Sequence, residues 1–375
     1  MGRVRIEAVG MSRFGRREET LLELCREAID NLSQYSDPAD VEAVFLGTMN
    51  PEEFISTSNL AAAICDVACL NPVPAVRVET ASSTGAAVFH EAVRAVKSGE
   101  FERVLCIAAE KMTHLDTKRT TKILAEVLAP VERKYGATMP AIAAMIARRY
   151  MHEHGMSREI LARVPVKNHS NGALNPFAHF QKQVDIEKVL GSKMVSDPLT
   201  IYDCAPISDG ACCAILSVKS GDVELLGLGQ ATDTLAVTDR DSLTSFRSTR
   251  IAAKKAYESA GVQPSEIGVA EVHDAFSAFE VIDSEDLRLF KPGQGWKGLE
   301  KGETELNGSI PINPSGGLKA RGHPVGASGL SQIVEIYWQL TNSANKRQVD
   351  AKKGICQSIG GLANNNFVTI LGAVR

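Results

Sequence analysis

A serine at a strand-to-helix junction is the first residue whose position suggests chemistry. Ser82 lies in the segment Val78–Ala87, where a short apolar stretch leads into Ser-Ser-Thr-Gly and then into a helical apolar stripe. The first backbone N–H groups of that helix, and the positive end of its dipole, would point at residue 82. Such a position activates a nucleophile or stabilises an oxyanion. The alternative is structural, because Ser82 or Ser83 could instead be the N-cap of the helix.

A histidine between glycine and proline is the second candidate. His323 lies in Gly322-His-Pro-Val-Gly326, shortly after Asn313-Pro-Ser-Gly-Gly317. The small neighbours let a ligand approach closely, and an imidazole can exchange a proton near neutral pH. The stretch therefore favours a functional loop, with Asn313 in support, over a histidine that only makes a structural hydrogen bond.

Two more loops follow apolar segments. His273 and Asp274 come directly after the predicted strand 267–272, and the carboxyl end of a central strand is where open α/β sheets place their sites. The glycine turn at Gly360 precedes the final strand, and its backbone amides could supply an oxyanion donor. In the structural alternatives, Asp274 caps the next helix and the glycine turn only reverses the chain.

The elements that must position these loops alternate between helix and strand, which predicts an α/β fold with a buried sheet. Two segments have the same form: a helix, a proline, an aliphatic residue three positions on, and a strand. Pro38 with Val41 and Pro264 with Ile267 mark them. Each leads on to a glycine-containing turn and an apolar helix, so we infer a duplicated α/β unit. The irregular segment 112–198 reads as an insertion over the first unit.

The composition is that of an ordinary globular protein. The 375 residues, 44% hydrophobic and 23% charged, are enough for two core units. A net charge of −4 gives no electrostatic case for nucleic acid or an anionic membrane as a partner. Neither a signal peptide nor a membrane-length apolar run is evident, and the eight cysteines lack metal-site spacing. We expect a cytoplasmic protein with free thiols and no metal site.

Together the four loops resemble those of the thiolase superfamily, and the resemblance covers nearly the whole chain. Gly322-His-Pro324 matches the family's Gly-His-Pro loop, and His273–Phe276 matches its His-Asp-Cys-Phe or Asn-Glu-Ala-Phe loop. Further segments, similar to sterol-carrier-protein-type and archaeal thiolases, are Val9–Gly15, Glu110–Met112, Ser208–Ala211 and Asn313–Gly317.

The resemblance implies a fold, a substrate and partners. We expect a duplicated, five-layered α-β-α-β-α thiolase fold with halves at 1–218 and 219–375 and a loop domain inserted at about 112–198. The implied substrate is a coenzyme A thioester, with no covalently bound cofactor. A homodimer or tetramer is implied, together with a small zinc-ribbon/OB-fold partner protein that would carry any zinc.

The resemblance also implies catalytic roles. In the family a cysteine takes the acyl group as a thioester, the Gly-His-Pro histidine assists its deprotonation and helps form an oxyanion hole, and a second cysteine moves a proton at the α-carbon. Here Ser82 holds the position of the nucleophile and Ala275 that of one second cysteine. In the last glycine loop Cys356 is the candidate acid/base, and Gln357-Ser358 could equally fill that place. A serine hydroxyl is far less acidic than a thiol and would need a base such as His323.

Three functions follow as alternatives. The first is an acyltransferase that forms or cleaves a carbon–carbon bond of a 3-oxoacyl-CoA, with altered or weak activity because of Ser82. The second is a lyase that cleaves a 3-hydroxyacyl-CoA without a covalent intermediate, with Tyr135, Tyr202, His273 or His323 as the base. The third is a non-catalytic acyl-CoA-binding or scaffold subunit. A further possibility is that Ser82 results from replacement of a native cysteine, and the native gene sequence would decide this.

Overall fold

The computed structural model describes residues 3–374 and contains a large mixed sheet with helices on and between its two halves. The strands are β1 (Arg5–Met11), β2 (Ala43–Gly47), β3 (Ala75–Val78), β4 (Arg103–Glu110), β5 (Met194–Ser196), β6 (Leu199–Thr200), β7 (Gly210–Ser217), β8 (Val223–Thr232), β9 (Val269–Glu271), β10 (Lys353–Gly360) and β11 (Asn365–Ala373). The helices are α1 (Leu21–Ser33), α2 (Pro51–Ile55), α3 (Leu60–Val67), α4 (Thr84–Ser98), α5 (Thr117–Leu124), α6 (Pro130–Lys134), α7 (Met139–His154), α8 (Arg158–Gly172), α9 (Ile186–Leu190), α10 (Arg247–Ala260), α11 (Ser277–Asp286), α12 (Gly295–Glu300), α13 (Gly317–Ala320) and α14 (Ser328–Leu340).

The sheet repeats one topology in its two halves. The first half has the order β3-β2-β4-β7-β1, and the second has β9, β10, β11 and β8 in the corresponding places. In the second half, the place of β3 is taken by a single parallel bridge between Ile312 and Ala270. The short helical turns Pro38–Asp40 and Pro264–Glu266 precede β2 and β9 in the same way. The predicted duplication is therefore confirmed.

Two helices form the middle layer. Helix α4 packs against strands of the first half and against β11, while α14 packs against strands of both halves and against α4. Helices α1 and α3 cover the outer face of the first half, and α10 covers the outer face of the second. This is the predicted five-layered arrangement. One detail was not predicted: β1 and β8 pair at Arg5–Glu224 and Ile6–Val223, which joins the two halves into one nine-stranded sheet.

The segment predicted as an insertion contains α5 to α9 and β5. Its helix α8 packs on α11, α12 and α13 of the second half. The segment thus lies beside the loops that follow β9. The division at residues 218 and 219, and the bounds of the insertion, stay predictions. Within the described residues, every helix is too short or too polar to cross a bilayer.

Candidate active site

The loop that carries Ser82 is held by its neighbours and leaves the Ser82 hydroxyl free. Ala81 has φ of +55°, a left-handed conformation that turns the chain sharply between β3 and α4. Ser83 is the N-cap residue, but its hydroxyl donates to Thr80 O at 2.7 Å instead of capping the helix. Within residues 3–374 the Ser82 hydroxyl has no hydrogen-bond partner, and the residue is 7% exposed. Ser82 is therefore not the helix cap that the sequence left open.

Two glycines bring the other loops against this one. A Cβ atom on Gly85 would lie 2.5 Å from the backbone nitrogen of Leu330 and 2.9 Å from the carbonyl oxygen of Gly326. The first turns of α4 and α14 therefore touch through backbone atoms. A Cβ atom on Gly360 would lie 2.6 Å from both Thr80 O and Ser83 Oγ. The Ser82, His323 and Gly360 loops thus meet at the N-terminal ends of the two middle helices, where two helix dipoles favour negative charge.

The tautomer of His323 is fixed by the first turn of α14. Its Nδ1 lies 2.6 Å from Ser328 Oγ, and Ser328 Oγ donates to Pro324 O at 2.9 Å. Because the hydroxyl proton is committed to the carbonyl, Nδ1 must donate, and Nε2 is left with its lone pair. Burial lowers the pKa of His323 to about 3, and the charges of Arg321 and Lys319 add to this effect. The imidazole is neutral near pH 7 and can accept a proton at Nε2.

His273 faces His323. The ring centroids are 5.1 Å apart and the ring planes meet at 84°, an edge-to-face contact. His273 is 1% exposed, and its Nδ1 is buried without a partner among the described residues. Burial first, and His323 second, hold the pKa of His273 well below its usual range. The structure thus places two neutral imidazoles side by side at the carboxyl end of β9.

Asp274 and Asn313 are fully engaged in supporting this end of the sheet. Asp274 Oδ1 accepts the backbone N–H of Leu318 at 2.6 Å, and its other oxygen accepts from Asn168 Nδ2 at 2.7 Å. Asp274 therefore caps a helix, but the helix is α13, not the following helix that the sequence suggested. Asn313 Oδ1 accepts the N–H of Val272, and Asn313 Nδ2 donates to Glu280, both at 2.8 Å. Both side chains thus hold the loops at this end of the sheet.

Comparison with known proteins identifies the family. The profile "Thiolase, N-terminal domain" matches residues 4–220, and "Thiolase C-terminal domain-like" matches residues 229–373. The chain belongs to the thiolase family. It is 40% identical over 340 residues to an acetyl-CoA acetyltransferase of Methanothermobacter thermautotrophicus, covering 88% of each chain. It is 33% identical over 321 residues to sterol carrier protein 2 of Bos taurus, covering 80% of this chain and 59% of that protein.

The fold has solved counterparts as well. The structure titled "Ltp2-ChsH2(DUF35) aldolase" superposes with a TM-score of 0.85 at 22% identity, covering 100% of this chain and 98% of the other. This likeness concerns the fold. The family assignment confirms the predicted resemblance, and with it the expectation of coenzyme A thioester substrates and no covalently bound cofactor. Among the described residues, no group of three or more His, Cys, Asp or Glu side chains could hold a metal ion.

The thiolase acid/base position in the last glycine loop falls on residues with different surroundings. Cys356, Ser358 and Gly360 share one face of β10, since side chains alternate along a strand. Cys356 lies in the apolar core, where burial raises the pKa of its thiol well above the usual value. Ser358 Oγ is buried without a partner among the described residues and faces Gly329 on α14. This placement favours packing for Cys356, so we assign it no proton-transfer role.

Sequence reasoning missed several residues that hold the thiolase loops. Lys319 is fully buried, and its Nζ donates to Asp203 O at 2.5 Å and to Ala275 O at 3.1 Å. Ser208 Oγ accepts the backbone N–H of His323 at 3.1 Å. A lysine in a loop reads as solvent-exposed unless its partners are known, because Lys is seldom buried. The sequence feature that could have indicated its burial is the position of Lys319 between glycines and next to Ala320.

The two tyrosines considered as bases have other surroundings. Tyr135 is 82% exposed, at the end of α6. Tyr202 stands edge-on to His169, with ring centroids 5.5 Å apart. Neither makes a described contact with His273 or His323, whereas those two histidines touch each other.

Proposed function

We propose that this thiolase-family chain acts on acyl-CoA thioesters and forms or cleaves the bond between C2 and C3 of a 3-oxoacyl-CoA. The observation that carries the proposal is the meeting of Ser82, His323 and His273 with the N-terminal ends of α4 and α14. The positive ends of the α4 and α14 dipoles there suit the oxyanion of a tetrahedral intermediate or an enolate. The 40% identical acetyl-CoA acetyltransferase supports acyl transfer as the reaction type.

In acyl transfer Ser82 would take the place of the family's cysteine. Its oxygen attacks C3 of the 3-oxoacyl-CoA, while Nε2 of His323 accepts the hydroxyl proton. The C2–C3 bond then breaks, its electron pair moves into the enolate of the shortened acyl-CoA, and the imidazolium returns the proton to C2. The acyl group, held as an oxygen ester on Ser82, passes to the thiol of free coenzyme A. Because the described residues place no base at hydrogen-bond distance from Ser82 Oγ, we expect this route to be slow.

The unpartnered hydroxyl of Ser82 favours a second candidate, a lyase acting on a 3-hydroxyacyl-CoA. Here Nε2 of His323 accepts the proton of the 3-hydroxyl group. The C2–C3 bond breaks, C3 becomes a carbonyl carbon, and the electron pair forms an enolate that the positive ends of the α4 and α14 dipoles stabilise. Return of the proton to C2 releases an acyl-CoA and an aldehyde or ketone. This route needs an unprotonated imidazole and no nucleophile, which is what the His273–His323 pair offers.

One experiment separates the two routes. The purified chain and a Ser82→Cys variant are incubated with acetoacetyl-CoA, and separately with a 3-hydroxyacyl-CoA, and each protein is then weighed by mass spectrometry. Acyl transfer predicts an acyl adduct on both proteins, with faster acylation of the Cys variant. The lyase route predicts an adduct only on the Cys variant, together with cleavage of the 3-hydroxyacyl-CoA by the unchanged chain.

The same experiment tests the proposal as a whole. His323→Ala should abolish turnover by either route, and Cys106→Ala, in the apolar core on β4, is the control that should keep it. Failure of both substrates with the unchanged chain and with Ser82→Cys would contradict an enzymatic function and favour the non-catalytic acyl-CoA-binding or scaffold subunit.

A homo-oligomer is part of the proposal. Strand β3 lies at the edge of the sheet, and Val76 on it is 50% exposed. An exposed edge strand pairs readily with the same strand of a second copy, which would continue the sheet across a two-fold axis. A tetramer and a zinc-ribbon/OB-fold partner protein remain proposals from the resemblance. The solved aldolase with the same fold is named for two components, Ltp2 and ChsH2(DUF35).

A further inference from the structure

The backbone of His273 is held by a glutamine from the neighbouring strand. The N–H of His273 donates to Gln357 Oε1 at 3.0 Å. Gln357 is wholly buried on β10, and it points to the face opposite Cys356 and Ser358 because strand side chains alternate. This hydrogen bond links Gln357 on β10 to His273, the residue whose ring faces His323.

The amide of Gln357 can adopt only one orientation here. Its Nε2 donates to Asp283 Oδ1 at 3.0 Å and lies 3.3 Å from Thr249 Oγ1. Asn366 Nδ2 also donates to Thr249 Oγ1, at 2.6 Å. All of these side chains are fully buried, where each lost hydrogen bond leaves an unpaired polar group. An oxygen of the Asp283 carboxyl group on α11, whose pKa is raised well above its usual value by burial, thus accepts from the amide nitrogen, and the amide oxygen is left to accept from His273.

A fixed backbone N–H also fixes the direction in which the side chain leaves the backbone. His273 stands between two such anchors, Gln357 at its own nitrogen and Asp274, which caps α13, at the next residue. Among the described residues, Nδ1 of the His273 ring has no hydrogen-bond partner. A hydrogen bond at this nitrogen therefore does not set the direction of the ring. The edge-to-face contact with His323 therefore depends on the backbone anchors.

We infer that Gln357 is a positioning residue for His273, and that Asp283 holds Gln357 in the orientation this requires. The inference rests on the proposed function only for its effect on turnover. The placement of the ring can be measured without any reaction.

The chain contains a matched control for the test. Gln339 on α14 is also fully buried, its Nε2 donates to Glu335 Oε1 at 2.8 Å, and its Oε1 accepts the backbone N–H of Val349 at 2.9 Å. Gln357→Met and Gln339→Met therefore each remove an amide that bridges a carboxyl oxygen and a backbone N–H. Each amide nitrogen has one further partner, Thr249 Oγ1 for Gln357 and Arg347 O for Gln339. Only the first touches His273. Gln357→Glu is the conservative variant, because a buried neutral carboxylic acid keeps both an acceptor and a donor.

The first readout is the imidazole resonance of His273 in protein labelled with ¹³C at histidine Cε1, assigned by loss of one signal in His273→Gln. We expect this resonance to shift or broaden in Gln357→Met, to stay near its native position in Gln357→Glu, and to be unchanged in Gln339→Met. Thermal stability should fall by a similar amount in both methionine variants. A His273 resonance that is the same in Gln357→Met as in the unchanged chain would overturn the inference.

The second readout is turnover of the thioester that the unchanged chain cleaves. A ring displaced by about 1 Å costs roughly 100-fold in rate, so kcat should fall by about 10- to 100-fold in Gln357→Met with little change in KM. Gln357→Glu should recover most of this loss, and Gln339→Met should keep native kcat. Equal losses of kcat in the two methionine variants would mean a purely structural role and would refute positioning. If the unchanged chain turns over no thioester, the proposed function fails, while the resonance of His273 still decides this inference.

Discussion

The contact between the two middle helices predicts that a single methyl group at Gly85 will separate activity from stability. In Gly85→Ala the new Cβ atom would lie 2.5 Å from Leu330 N, 2.9 Å from Gly326 O and 3.1 Å from Ala327 O. All three are backbone atoms of the first turn of α14, which cannot rotate away. To reach an ordinary contact of 3.4 Å the two helix ends must move apart by about 0.9 Å.

The expected costs differ in size. Overpacking costs about 1 to 3 kcal/mol, and the better helix propensity of alanine offsets up to about 1 kcal/mol of this, so unfolding should be easier by about 1 to 2 kcal/mol. The rate should suffer more, because His323 moves with α14 while Ser82 moves with α4. A displacement of about 1 Å costs roughly 100-fold in rate.

The assay is urea unfolding together with turnover of acetoacetyl-CoA or a 3-hydroxyacyl-CoA. Gly268→Ala is the control, because its Cβ would lie 3.0 Å from Ala351 Cβ at the opposite end of β9. This variant should lose some stability and keep kcat. Native kcat in Gly85→Ala, at any stability, would refute the argument that the contact of the two helices sets the distance between the loops.

Three further predictions concern stability and assembly. Burial lowers the pKa of His90 to about 3, below the unfolded value near 6.5, so its contribution to stability is present above pH 6.5 and is lost as the pH falls. Because of His90, the free energy of unfolding should be lower at pH 4.5 than at pH 7.5 by about 2 to 3 kcal/mol. In urea titrations of His90→Gln, the difference between the two pH values should be smaller by this amount. Lys319→Met removes the side-chain donor to Asp203 O and one of the two donors to Ala275 O, which keeps the N–H of Ala205, and should cost about 2 kcal/mol in the same assay. Lys255→Met, which removes one surface bond, should cost about 0.5 kcal/mol or less. Val76→Lys on the edge strand should give monomers in analytical ultracentrifugation without loss of helix content, and Val131→Lys, 54% exposed on α6, should leave the assembly intact.

The sequence allowed the fold and the four loops to be predicted because their signals are local. Glycine and proline mark the loop of His323, and the segment before His273 is apolar except for Glu271. The supporting contacts could not be predicted in this way. Asp274 caps a helix that begins at Gly317, far along the chain, and the short sequence after Asp274 gave no sign of it.

Burial separated the remaining candidates. Cys356 and Ser358 differ by two positions on one strand, and only packing shows that the thiol lies in the apolar core while the hydroxyl faces α14. Lys319 and Gln357 are polar residues that are buried and bonded, and their partners lie far along the chain. Such residues are recognised only when the partners that satisfy them are known.

The shared middle layer has a consequence for synthesis of the chain. Helix α4 is complete once residue 98 has left the ribosome, yet α14, which covers its buried face, ends at residue 340. Strand β1 likewise waits for β7, roughly two hundred residues later, before its backbone groups are paired. The nascent first half must therefore carry uncovered apolar surface through most of translation, which is the state in which growing chains aggregate or recruit chaperones. The two copies of the duplicated unit therefore share a layer that neither can complete alone. A ribosome that stalls before residue 340 releases a product whose middle layer is unfinished, although the outer core of the first half, within residues 8–215, is already synthesised.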